Sequence, residues 1–162
     1  MKLNMKLPKY TMDNLAPMFI KAAALRNEML DAGFTDNGGA IHSAERIMDI
    51  LGQRLNYEKL SHINNLKKYP KAEFSKKARF AHQKGKQVLI EHVAPLRDLT
   101  RKAIKEIENL KGQKAEKCLV AFVKKHYRLI LLTPEETLHL NRLNRSNMDR
   151  RRLELAGIFI SK

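Results

Sequence analysis

At 162 residues the chain suits a single globular domain, and 43% apolar residues is enough for a real core. One cysteine, Cys118, excludes an intramolecular disulfide and a cysteine-based zinc centre. Thirty-two Lys and Arg against 17 Asp and Glu leave a formal charge of +15, which points to a polyanionic partner: basic surfaces attract phosphates and release counterions on binding.

Residues 1–10 read as a basic N-terminal arm ahead of a single globular domain over 11–162. No long apolar run opens the chain, so neither a signal peptide nor a membrane span is expected, and the expected setting is the cytoplasm. From Asp13 to Ala32, Leu15, Met18, Phe19, Ala22, Leu25 and Met29 keep helical spacing, and Gly33 supplies a C-terminal cap. Residues 36–39 (Asp-Asn-Gly-Gly) form a turn. Ser43 is placed to cap a second helix with Ile47, Ile50, Leu51 and Leu55 on one face. A short third helix over Glu58–Lys68 must stop near Tyr69, because Pro70 follows.

Residues 59–87 are the basic heart, with nine Lys or Arg against one acid, Glu73. Lys67, Lys68, Lys76, Lys77, Arg79 and Lys84 are the expected phosphate contacts. Tyr69, Phe74 and Phe80, interleaved among them, suit base stacking.

Residues 87–93 then read as a strand, which Pro95 ends. Pro95–Lys111 reads as a helix with Leu96, Leu99, Ala103, Ile107 and Leu110 inward and Asp98 paired to Lys102. Gly112 closes it. A further helix over Lys114–His126 carries Cys118 as a small buried apolar residue. Residues 128–133 read as a buried strand, and Thr133-Pro-Glu-Glu136 as a capped helix start. That helix carries Leu138, His139, Leu140 and Leu143. Met148–Ala156 reads as a last helix with Arg150, Arg151 and Arg152 outward, joining the phosphate contacts, before a short strand at 158–160. The expected fold is α+β and mainly helical, with about six helices around a small sheet of two or three strands.

Glu91 and His92 stand side by side at the end of the central strand, where a rigid scaffold presents reactive groups. The string Glu91-His92-x-x-Pro95-Leu96 resembles the first half of HNH (ββα-metal) nucleases. The resemblance implies that Glu91 ligates a divalent cation, Mg²⁺ or Mn²⁺, and that His92 activates the nucleophile as general base. It also implies a second strand, at 128–133, and a helix, at 134–143, with Glu136, His139 and Asn141 as candidate ligands or orienters. The two strands, which that family joins closely, are here separated by enough chain for two helices.

Of the other histidines, His62 and His82 lie in basic surroundings, His126 ends a helix where positive charge is favoured, and His42 has no evident partner. No Gly-x-Ser-x-Gly, dinucleotide or Walker motif is present. The functional expectation is a nucleic-acid-binding protein with metal-dependent phosphodiester cleavage as its elaboration. The alternatives are a non-catalytic DNA- or RNA-binding regulator, a phage- or plasmid-type accessory protein, and a basic inhibitor that docks an acidic protein.

Overall fold

Apolar periodicity builds most of the molecule, and its small departures decide which faces meet. The computed structural model describes residues 11–162; the arm expected over 1–10 lies outside them. Helix α1 (Met12–Asp31) buries Leu15, Ala16, Phe19 and Ala23, a narrow stripe spaced by three and four residues. The two small alanines let α1 lie close against α2 (Ala40–Asn56). The stripe is rotated from the expected one, so Met18 and Leu25 are 51% and 53% exposed. Helix α2 begins before Ser43, because Gly39 turns the chain at φ 63 and frees Ala40, Ile41 and Ala44 to start the buried face.

The third helix is shorter than expected, a 3₁₀ turn over Ile63–Lys68 whose start is capped by His62: its Nδ1 accepts from the Asn64 N–H at 3.1 Å. Helix α3 (Lys76–Gln83) lies within the basic segment and was not expected from the sequence. Its cap is Ser75, whose Oγ accepts from the Ala78 N–H at 2.9 Å. Helix α4 (Leu96–Ile107) follows Pro95, and α5 (Gly112–His126) packs against it. Cys118 is half-buried on α5 rather than part of the core.

Strands β1 (Leu89–His92) and β2 (Leu129–Leu132) pair antiparallel, with Leu89 opposite Leu132 and His92 opposite Leu129. Every residue of β2 is buried, and alternation divides them. Leu129 and Leu131 join the large core of α1, α2, α4 and α5, while Ile130 and Leu132 join a smaller one with Leu140, Leu153, Ala156 and Ile158. Helix α6 (Pro134–Asn144) starts with the expected capping box, Thr133 with Glu136, and packs on both strands.

The helix expected over 148–156 is a single turn, α7 (Arg152–Leu155). The Met148 N–H is drawn to Asp98 Oδ2 at 2.6 Å and the Arg151 N–H to Asp149 Oδ1 at 2.8 Å, so the chain wraps before it coils. The strand expected at 158–160 is reduced to one bridge, Ile160 with Ser75. The protein is a mainly helical α+β fold, and no described helix is long and apolar enough to cross a membrane.

Candidate active site at the end of strand β1

Neighbouring residues on a strand point to opposite faces, so Glu91 and His92 meet different partners. His92 turns to the face of α2 and α5. Its Nε2 lies 2.8 Å from Asp49 Oδ1, and the Tyr127 hydroxyl donates to the same oxygen at 2.6 Å. The Tyr127 and His92 rings meet edge to face with centroids 5.6 Å apart. Burial opposes ionisation of Asp49, but the hydrogen bonds from His92 and Tyr127 prevail and hold its carboxyl below the ordinary range. Burial, then the adjacent Asp49 carboxylate, push the Tyr127 phenol well above its usual value, so it stays a donor. With Asp49 ionised and accepting at Nε2, a neutral His92 ring would carry its proton there and leave the Nδ1 lone pair for other use.

A carboxyl whose pKa is lower in the folded chain adds stability above its unfolded value, near 3.9, and that stability is lost as pH falls through the folded value. Asp49→Asn should therefore lose less stability than the wild type on acidification below about pH 4, as read by urea unfolding across a pH series. Parallel acid limbs for the two proteins would show that Asp49 is not held in this way.

Glu91 turns to the face of α6 and α7 and meets Arg152, whose Nη2 stands 3.6 Å from its Oε1. Arg152, expected outward with Arg150 and Arg151, is only 2% exposed. Its Nε donates to the Asn144 carbonyl at 2.8 Å, and Nη1 donates to the carbonyls of His92 at 2.8 Å and Val93 at 3.1 Å. It is the clasp between β1, α6 and α7, not a phosphate contact.

The structure does not bring together the metal-ligand set Glu91, Glu136 and His139. Glu136 is buried under the start of α6, where its Oε2 accepts from Ser75 Oγ at 2.6 Å and the Thr133 N–H at 3.0 Å. It thereby caps α6 and ties it to the cap of α3. His139 is exposed on α6, and neither residue lines the space beside Glu91 and His92. Among the described residues no three His, Cys, Asp or Glu side chains are placed to hold a metal ion. A Mg²⁺ or Mn²⁺ centre built on these residues does not fit, because Glu91 already faces a fixed cation and Glu136 is committed to the caps.

What the structure does place beside Glu91 and His92 is a cleft of about 570 Å³. Three arginines line it: Arg97, Arg101 and Arg145. Glu45 holds Arg97 through Nε, and Asp36 Oδ2 holds Arg101 Nε at 2.9 Å. The Glu45 carboxylate raises the Arg97 pKa further, and Arg26, then Arg101, keep Asp36 below the carboxylate range against the pull of burial. Asn141, an expected ligand or orienter, also lines this cleft. His42, which lacked an evident partner, lies 3.2 Å from Arg97 Nη2 and 3.4 Å from Glu45.

Asp49, Tyr127, Arg97, Arg101 and Arg145 were not legible as site residues. One signal did stand in the sequence: Gly52 inside α2, one turn from Asp49, marks a close approach. The approaching group is the Tyr127 ring, directly over Gly52.

Of the expected phosphate contacts, Lys67, Lys68, Lys76, Lys77, Lys84 and Arg150 are exposed with no Asp or Glu of the described residues within 4.0 Å. Arg151 pairs with Glu154 at 3.4 Å, and Arg79 lies over the Phe74 ring at 4.1 Å. Of the aromatics expected to stack on bases, Phe74 belongs to the core and Tyr69 packs against it, while Phe80 is 59% exposed beneath Lys84. His62 is a capping residue, and His82 stacks on Phe74 with centroids 5.3 Å apart. At His126, burial, then Lys125, lowers the pKa, against the positive charge expected at a helix end. No protein-family model, curated protein or solved structure matches the chain.

Proposed function

We propose that the protein binds nucleic acid through its exposed cations, in a cytoplasmic setting. The observation that carries this reading is that Lys67, Lys68, Lys76, Lys77, Lys84 and Arg150 have no acidic partner among the described residues. Cations without an acidic partner keep their full charge for phosphates. Each phosphate neutralised releases counterions, so affinity falls with salt in proportion to the number of contacts. Exposed Phe80 adds one stacking face beside Lys84.

On duplex DNA the slope of log affinity against log salt should be about −0.9 for each phosphate contacted. Replacing Lys67, Lys76 and Lys77 by Glu should weaken binding across all sequences and make that slope shallower by roughly three such contacts. Unchanged affinity for both DNA and RNA would leave these lysines as a solvated face. An acidic protein bound in their place would favour the inhibitor reading.

A second reading is favoured by His92, held by Asp49, on the wall of a cleft that three arginines share with Glu45 and Glu91. A carboxylate that fixes the tautomer and orientation of an imidazole is the arrangement of a general base. Arginine forks match the geometry of phosphate oxygens. On this reading the bound nucleic acid is cut in the cleft beside His92.

A further inference from the structure

Arg152 is the one buried arginine among the described residues, and oxygen atoms surround it. Three are the peptide carbonyls of His92, Val93 and Asn144, one is Asn141 Oδ1 at 3.4 Å from Nη2, and one is Glu91 Oε1 at 3.6 Å. Carboxylate, amide and carbonyl oxygens are the ligands a hard divalent cation takes. Here a planar, permanently charged side chain takes them instead. Burial lowers its pKa and Glu91 partly restores it, yet a guanidinium stays charged at any ordinary pH.

We propose that Arg152 takes the place of a divalent cation at the end of β1, and that the cleft beside it cuts RNA without metal, His92 acting as general base. This inference rests on the nucleic-acid reading above and gives it a substrate class. The nucleophile decides the substrate class. Water is a weak nucleophile at neutral pH unless a metal lowers its pKa. RNA carries its own nucleophile, the 2′-hydroxyl beside each phosphodiester, and needs only a base and a cationic cradle.

Both are present. Asp49 holds His92 by Nε2, and Nδ1 has no hydrogen-bond partner among the described residues. Arg97 and Arg101 each keep Nη1 without a partner among the described residues, and Arg145 has no acid of the described residues within 4.0 Å. In the step itself Nδ1 takes the 2′-hydroxyl proton and the 2′-oxygen bonds to phosphorus. The bond from phosphorus to the 5′-oxygen breaks as water protonates that oxygen, and the imidazolium returns its proton to the hydroxide. The products are a 2′,3′-cyclic phosphate and a 5′-hydroxyl. His92 is the catalytic residue; Asp49 and Arg152 are positioning residues.

The test gives the full chain a labelled single-stranded RNA and the DNA of the same sequence, in excess EDTA and separately with Mg²⁺ or Mn²⁺. RNA should be cut at the same rate in both conditions, leaving cyclic phosphate ends, and DNA should be bound but left whole. His92→Ala should slow cutting by about 10²–10⁴-fold with DNA binding unchanged. Asp49→Asn should lower kcat and leave KM in place. Mn²⁺ and EDTA should not move the melting temperature of the wild type. Arg152→Ala, which empties the oxygen shell, should be stabilised by Mn²⁺. Cutting that requires a divalent metal, cutting of DNA, or RNA left whole in EDTA would each overturn the inference, and if Arg152→Ala does not fold the wild-type arms alone decide. Binding of both strands with no cutting in EDTA sinks this inference only; binding of neither sinks the nucleic-acid reading as well.

Discussion

Arg152→Met should lower the stability of the folded chain by about 3–5 kcal/mol, the cost typical of removing one partner from a buried ion pair. Methionine keeps the apolar stem as far as the Nε position, so the packing loss is confined to the space of the guanidinium fork. What disappears is the donor set. The carbonyls of His92, Val93 and Asn144 lose their hydrogen bonds, and the Glu91 carboxylate loses its counter-ion. Each buried acceptor left without a partner costs about 1–3 kcal/mol. Because the Glu91 side chain is 19% exposed, water relieves part of its share and favours the lower end of the range. Urea unfolding should show a lower midpoint with an unchanged slope. A loss below about 1 kcal/mol would mean that the clasp contributes little beyond its surroundings.

Gly52→Ala should also destabilise the protein, against the usual sign of that exchange. In an exposed helix interior alanine is better than glycine by about 1 kcal/mol. In α2 the added methyl would land on the Tyr127 ring carbons. The ring cannot step aside cheaply. Its hydroxyl is bonded to Asp49, its face meets Tyr57 edge-on with centroids 6.4 Å apart, and the residue is 3% exposed. Overpacking of this kind costs about 1–3 kcal/mol, and in a domain of this size each kcal/mol lowers the melting temperature by about 2–4 °C. Displacing Tyr127 also removes the second donor from Asp49, so the RNA cutting proposed for His92 should fall with the melting temperature. A variant that melts at or above the wild-type temperature would place Tyr127 elsewhere in solution.

Most of the fold was legible because apolar spacing and terminator residues carry it. The capping box at Thr133 and Glu136, the stop before Pro70 and the two strand cores are local features, and the structure bears them out. Helix α3 escaped because the density of Lys and Arg hid a short helix whose best signal is the Ser75 cap. The final helix was overextended because the pull of Asp98 on the Met148 N–H comes from a distant element. The candidate site was half legible. Glu91 and His92 could be picked out as neighbours at a strand end, but their partners Asp49, Tyr127 and Arg152 lie far along the chain. Glu136 has the composition of a ligand and the surroundings of a cap, and only the Ser75 contact separates the two. Arg152 sits in a run of three arginines, where nothing local singles out the buried one.

The pairing of β1 with β2 has a consequence for the order in which the molecule assembles. Pairing the strands requires residues 93–128, which contain α4 and α5, to be gathered between them. Bringing together such distant ends costs closure entropy that rises with the logarithm of the intervening length. The contacts between α4 and α5 are closer in sequence and cost less to form. The helical pair therefore acts as a spacer that shortens the effective loop, and the sheet closes on an excursion already compact. Asp49, His92 and Tyr127 come from α2, β1 and the junction of α5 with β2, so their meeting depends on that closure. Whatever holds β1 to β2 therefore also holds the contacts of Asp49 with His92 and Tyr127 in place.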